Sequence, residues 1–293
     1  MIDSIINCKN FKEADCVILT AGYDRSSSLG KGAHNGAMEI VKCLHEDIEF
    51  FDKYTKLEPG YLFKIAHKKI NLSNNIYPED MVNIVKKTYS KFVNSDAFLI
   101  LLGGDHSVST GAFQAIAEKD NPRDVTILQI DAHCDLRNDD GNANPDQSHV
   151  SMYAHSCVMR RAFELGYNLV QVGVRSYAKE EYDFFRKNKI RVFEWSSKTP
   201  SVGDIIKSIK TKKVYITLDV DGIDPAHIPG TGTPVPGGLE WYYTIDLLLS
   251  LIKKKEIIGC DIVELAPISG SSLSQFAAAQ LCYYIIGGVL NKK

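Results

Sequence analysis

Three aliphatic runs in this chain each end in a knot of acids, two of them with a histidine, and that repetition constrains the fold more than any other feature. The runs cover residues 97–102, 125–130 and 214–218. The knots are Gly103-Gly104-Asp105-His106-Ser107, Asp131-Ala132-His133-Cys134-Asp135 and Leu218-Asp219-Val220-Asp221-Gly222-Ile223-Asp224-Pro225. Short runs rich in β-branched and aliphatic residues read as strands buried on both faces, which parallel sheets require. A carboxylate just past such a strand lies where an open α/β sheet forms its ligand crevice. A lone Asp there is ordinarily a helix cap or a turn former. Three such clusters in order, each at a strand end, point instead to a metal site. Imidazole with carboxylate suits Mn²⁺, Zn²⁺ or Ni²⁺.

The rest of the chain fits one α/β domain over residues 1–293. Strands are expected at 17–21, 48–51, 98–102, 125–130, 169–174, 190–193, 214–218 and 257–263. Helical patterns fall at 78–93, 109–118, 156–165, 179–187, 202–209, 241–253 and 274–290. Such alternation implies a three-layer fold, an eight-stranded, mostly parallel sheet flanked by helices. Two long irregular segments, 139–147 and 224–239, follow metal-cluster strands and are expected to line a substrate site.

Composition narrows the function classes. A net charge of −2 with 24% charged residues supplies no basic field for nucleic acid or an anionic membrane. No apolar run looks long enough to span a bilayer, and the first residues lack a signal-peptide core. Seven cysteines without a Cys-x-x-Cys pair suggest reduced thiols in a cytoplasmic protein.

Residue by residue, His106 reads as a metal ligand, with Asp105 as a candidate to orient its ring. Asp131, His133 and Asp135 alternate, so an extended backbone points them the same way, and Asp219 and Asp221 repeat the spacing. The acids exceed the needs of one ion. Two ions sharing a carboxylate resolve the excess, and such a pair lowers the pKa of a water held between them. Glu264 closes the run 257–263. Alone it reads as a rim carboxylate, and in a crevice it would hold a cation. His155 and His149 are the candidates for a proton shuttle, His155 at the start of a helical pattern.

Together these residues resemble the ureohydrolases, the family of arginase, agmatinase and their relatives, from about residue 22 to 290. The matching motifs are Gly-Gly-Asp-His-Ser at 103–107, Asp-Ala-His-Cys-Asp at 131–135, Leu-Asp-Val-Asp-Gly-Ile-Asp-Pro at 218–225 and Asp-Ile-Val-Glu at 261–264. The resemblance implies two Mn²⁺ per chain. One would be held by His106, Asp131, Asp135 and Asp219, the other by Asp131, His133, Asp219 and Asp221. It implies hydrolysis of a guanidino compound to urea and an amine, with Asp135 at the reacting centre, His155 as the shuttle and Glu264 as the guanidinium anchor. It also implies a homo-oligomer, trimer or hexamer.

Within the family, residues 154–161, 172–176 and 225–234 resemble bacterial and archaeal agmatinases, so agmatine is the expected substrate. Arginases carry Asn where this chain has Arg137 and an acid where it has Ala178, which disfavours arginine. Arg137, if it faced the substrate tail, would suit a guanidino acid; it could instead turn outward to Asp139 or Asp140. Thr231, in the segment 224–239, is a further candidate for substrate contact. The stretch 32–41 departs from the family's usual Arg-x-Gly-Pro pattern. Other guanidino substrates, formiminoglutamate and a metal-binding non-catalytic relative are the alternatives.

Overall fold

The computed structural model describes residues 4–141 and 149–292. Eight strands form one sheet: β1 (Cys16–Ala21), β2 (Ile65–Lys69), β3 (Phe98–Gly103), β4 (Val125–Ile130), β5 (Asn168–Val174), β6 (Arg191–Glu194), β7 (Lys213–Asp219) and β8 (Glu256–Val263). Their spatial order is β2-β1-β3-β8-β7-β4-β5-β6, and every pairing is parallel. The helices are α1 (Gly36–Glu46), α2 (Pro59–Leu62), α3 (Pro78–Tyr89), α4 (Ser109–Lys119), α5 (Val158–Leu165), α6 (Lys179–Asn188), α7 (Val202–Ser208), α8 (Trp241–Lys254) and α9 (Leu273–Leu290).

Period-two alternation along each strand divides the core into two layers. Ile18, Leu128, Ile130, Ile216 and Leu218 pack on one face with α1, α8 and α9. Leu19, Ile127, Tyr215 and Val263 pack on the other with α3, α4 and α5. Both faces are covered, which is why the central strands read as continuous aliphatic runs.

Local chemistry fixes the helix starts. Pro78 opens α3 with Glu79 and Asp80 in its first turn, where the helix dipole favours acids. The Ser201 hydroxyl accepts from the Asp204 amide at 3.1 Å and caps α7.

Two expectations need correction. The segment 48–51 is not a strand; the eighth strand is Ile65–Lys69 at the sheet edge. Its sequence, Ile-Ala-His-Lys-Lys, has no aliphatic run because its far half is exposed, and an edge strand is often marked by lysines rather than by an apolar pattern. Among the described residues one helix, Leu273–Leu290, does reach membrane-spanning length, with mean hydropathy 1.3. Twelve of its residues are buried against α1, α8 and the sheet, so its apolarity serves the core.

The order β3-β8-β7-β4 has a direct consequence. The four strands that deliver the four motifs are adjacent at the centre of the sheet. All four motifs therefore meet at one carboxyl edge, where α/β sheets bind ligands.

Candidate active site

Asp131 stands at the middle of the cluster. Its Oδ2 lies 3.2 Å from His106 Nδ1 and its Oδ1 lies 3.5 Å from His133 Nδ1. On the His106 side, Asp135 Oδ2 is at 2.9 Å and Asp219 Oδ2 at 3.6 Å. On the His133 side, Asp221 Oδ2 is at 3.1 Å. His106, Asp131 and Asp135 form one group able to hold a cation; Asp131, His133 and Asp221 form a second. Asp131 belongs to both.

Backbone bonds set these orientations. Asp131 Oδ1 accepts from the His133 amide at 2.6 Å, Asp219 Oδ1 from the Asp221 amide at 2.8 Å, and Asp221 Oδ1 from the Ala132 amide at 3.0 Å. Asp135 and Glu264 both adopt left-handed backbone, φ 52° and 64°. Such backbone is uncommon for a residue with a side chain, and two of the four cases among the described residues fall at this site. The Asp135 carbonyl accepts from the Met159 and Arg160 amides, which ties that ligand loop to α5. Gly104 is obligatory, because a Cβ there would lie 1.9 Å from the Tyr23 carbonyl oxygen.

The electrostatics call for a cation. Burial disfavours charge on Asp131, yet His106 and His133 outweigh it and hold its carboxyl well below the usual range. Asp135 is pushed up to about 7 by burial and by Asp131. Asp219 is raised well above the usual range by burial and by Asp221. Burial opposes a proton on His133, but Asp221 and Asp131 hold its ring up at about 12. Burial likewise opposes a proton on His106, whose pKa Asp131 and Asp135 nonetheless raise. Its Nδ1 has no hydrogen bond although three carboxylates crowd it. Buried nitrogen and oxygen donors in this arrangement fit divalent metal.

A cavity of about 260 Å³ opens onto the cluster. His133, Asp135, Asp219 and Asp221 line its floor, and Glu264, His155, Arg137 and Thr233 line its walls. Glu264 Oε1 accepts from the His106 amide at 2.8 Å and lies 3.4 Å from His155 Nδ1. Burial opposes protonation of His155, but Glu264 holds its imidazole up at about 9. The Ser26 hydroxyl accepts from the His155 amide at 3.1 Å and donates to Asp105 at 2.7 Å.

Several expectations are corrected here. Asp105 does not orient His106; it accepts from Ser26 and Ser107, and Thr217 contacts the His106 ring instead, at 2.8 Å from Nε2. Arg137 pairs with neither Asp139 nor Asp140; its Nη1 lies 3.1 Å from Glu180 Oε1. Thr231 does not line the cavity. Its place is taken by Thr233, which donates to Asp221 at 3.2 Å. His149 lies apart, 3.2 Å from Glu79 and in tilted ring contact with Tyr77. Of the segment 139–147, residues 142–147 lie outside the described residues.

Other contributors left a faint signal in the sequence. Gln129 and Thr217 are polar residues inside aliphatic strands, each two positions before a ligand and so on the same face. Gln129 donates to Asp131 at 2.6 Å. Arg175 holds the segment 224–239 through the carbonyls of Asp221, Val235 and Pro236. Asp224 accepts from the Ala226, Gly237 and Gly238 amides and closes that turn. In the departing stretch 32–41, His34 donates to buried Asp24 at 2.7 Å, as does the Gly32 amide at 2.8 Å.

The Arginase family model matches residues 14–287. The chain is 33% identical to the N(1)-aminopropylagmatine ureohydrolase of Synechocystis sp., over 95% of this chain and 90% of that one. It is 30% identical to the agmatinase of Pyrococcus horikoshii, over 95% and 93%. The agmatine ureohydrolase of Thermoplasma volcanium superposes with a TM-score of 0.83 at 27% identity, covering 99% of this chain and 94% of that one. The chain belongs to the arginase family. It is a ureohydrolase, a hydrolase of C–N bonds in linear amidines.

Proposed function

We propose that the chain hydrolyses an alkylguanidine with a cationic tail, agmatine first and N(1)-aminopropylagmatine as its extended counterpart, to urea and an amine. The observation that carries this reading is the single cavity shared by both cation-holding groups, Glu264 and His155. His106, Asp131, Asp135 and Asp219 would hold one Mn²⁺, and Asp131, His133, Asp219 and Asp221 the other. Bound there, the ions supply Lewis acidity and an acidified water at neutral pH.

The chain's own groups do the rest. Glu264 is placed to receive the guanidinium, whose planar fork matches a carboxylate. The guanidinium carbon gains the oxygen of water, its bond to the alkyl nitrogen breaks, and that nitrogen takes a proton. His155, 3.4 Å from Glu264, is positioned to deliver it. Asp135, on the cavity floor, faces the same reacting centre.

The tail preference rests on Arg137. Its pairing with Glu180 offsets a positive charge at the wall, and the alkylammonium names of the relatives support the same choice. The family resemblance supports a homo-oligomer, trimer or hexamer, and the cysteine usage a cytoplasmic protein. A urea-release screen of Mn²⁺-loaded protein tests it, with agmatine, N(1)-aminopropylagmatine, arginine and a guanidino acid as substrates. Turnover of the amine-tailed pair is expected; turnover confined to arginine or the acid would contradict it.

A further inference from the structure

Behind the metal cluster a buried polar chain runs away from the cavity. His106 Nε2 lies 2.8 Å from Thr217 Oγ1, and Thr217 donates to Asp261 Oδ1 at 2.6 Å. All three residues are fully buried. Thr217 and Asp261 are register partners on β7 and β8, so the sheet itself brings them together. The hydroxyls of Ser109 and Tyr215 neighbour the same carboxyl. Both lie close enough to help hold that carboxyl in place.

The direction of this chain decides the state of the histidine. Thr217 donates to Asp261, so its single hydroxyl proton is spent there. Its oxygen then accepts from His106, which places the ring proton on Nε2. When the ring is neutral, as a metal ligand must be, its lone pair is then on Nδ1, on the side of Asp131, Asp135 and Asp219. A metal-binding imidazole is commonly fixed in tautomer and orientation by the partner of its other nitrogen, and here that partner is a hydroxyl relaying a carboxylate.

We propose that Asp261, acting through Thr217, is a positioning residue that sets the affinity of the ion held by His106, and leaves the ion held by His133 largely untouched. This rests on the metal reading of the cluster. His133 has no part in the chain: its ring nitrogen faces Asp131 and Asp221, and it is partly exposed at the cavity. Removing the relay therefore weakens one site of two.

The test is a Mn²⁺ titration followed by electron paramagnetic resonance, with metal content per chain and melting of the metal-free proteins measured in parallel. The proteins are wild type, Thr217→Val, Thr217→Ser and Asp261→Asn. Thr217→Val keeps the shape and deletes the hydroxyl. It should weaken one of two ions about 10- to 100-fold, the usual cost of losing such a partner. Asp261→Asn should do the same, because an amide can donate to Thr217 and reverse the chain. Thr217→Ser keeps the hydroxyl and should bind both ions like wild type. Wild-type affinity for both ions in Thr217→Val and Asp261→Asn would overturn the proposal. So would equal loss of both ions, or a loss that follows a lowered melting temperature of the metal-free protein, since either means general packing. A wild type that binds no Mn²⁺ would overturn the metal reading itself.

Discussion

Replacing Arg137 with alanine separates the two tail chemistries, and the exposure of its ion pair with Glu180 bounds what the change costs the fold. The Arg137 side chain is about a quarter exposed and Glu180 more than half exposed. Such a pair contributes only about 0.2–1 kcal/mol, so the variant should fold and bind metal normally. An amine-tailed substrate would place an ammonium near the cavity wall. Taking a separation on the order of 8 Å, the two positive charges repel by about 0.5–2 kcal/mol at effective dielectric constants between those of water and a protein surface. Glu180 already offsets part of that repulsion. Arg137→Ala should therefore leave kcat/KM for agmatine unchanged or raise it by up to about 30-fold. For a guanidino acid the same change removes a charge-assisted partner worth about 1.5–3 kcal/mol, a loss of about ten- to more than a hundred-fold. Urea release on both substrates, wild type against variant, is the assay. A tenfold or larger loss on agmatine would refute the pairing of Arg137 with Glu180 as the device that frees the wall for a cationic tail.

Two further outcomes follow from the site. His155→Asn should lower kcat by about 10²–10⁴ with full metal content, while His149→Asn, outside the cavity, should do far less; steady-state kinetics with metal analysis checks the ranking. In the metal-free protein, Asp135 (up to about 7, from burial and Asp131) and His155 (up to about 9, where Glu264 overcomes burial) both bind protons more tightly folded than unfolded. That stability is present at low pH and lost as pH rises, between about 4 and 7 for Asp135 and between about 6.5 and 9 for His155. The melting temperature of metal-free protein should fall across that span, and metal should flatten the slope by displacing the protons. A metal-free melting temperature that climbs through the same range would contradict the charge assignment.

The centre of the fold was legible because it obeys simple rules. Strands β3, β4, β7 and β8 are buried on both faces, so each had to be aliphatic, and the acids at their ends stood out. The edge strand β2 was not legible. Half of it faces solvent, so Ile65 and Ala66 are the only apolar residues it needs, while Ile48 and Phe50 imitate a strand from a loop packed on the core. At the site, spacing brought out Asp131, His133 and Asp135. It could not assign Asp105, because which group lies behind His106 depends on β7 and β8 being neighbours, a fact of topology. Arg137 was ambiguous for the same reason: Glu180 is distant in sequence and reaches it from the first turn of α6. Thr233 lines the cavity, whereas Thr231 bridges to Leu265, a contact that depends on the fold and not on local spacing.

The most direct measurement is metal content and urea release of wild type beside Asp131→Ala. Asp131 faces both histidines, so its loss leaves each cation site without a ligand and the remaining acids as uncompensated like charges. Wild type is expected to hold two Mn²⁺ per chain and release urea from agmatine or N(1)-aminopropylagmatine, and Asp131→Ala to hold neither ion and release none. Two ions still bound in Asp131→Ala, or a metal-loaded wild type that releases no urea from any guanidino substrate, would contradict a two-metal ureohydrolase built around Asp131.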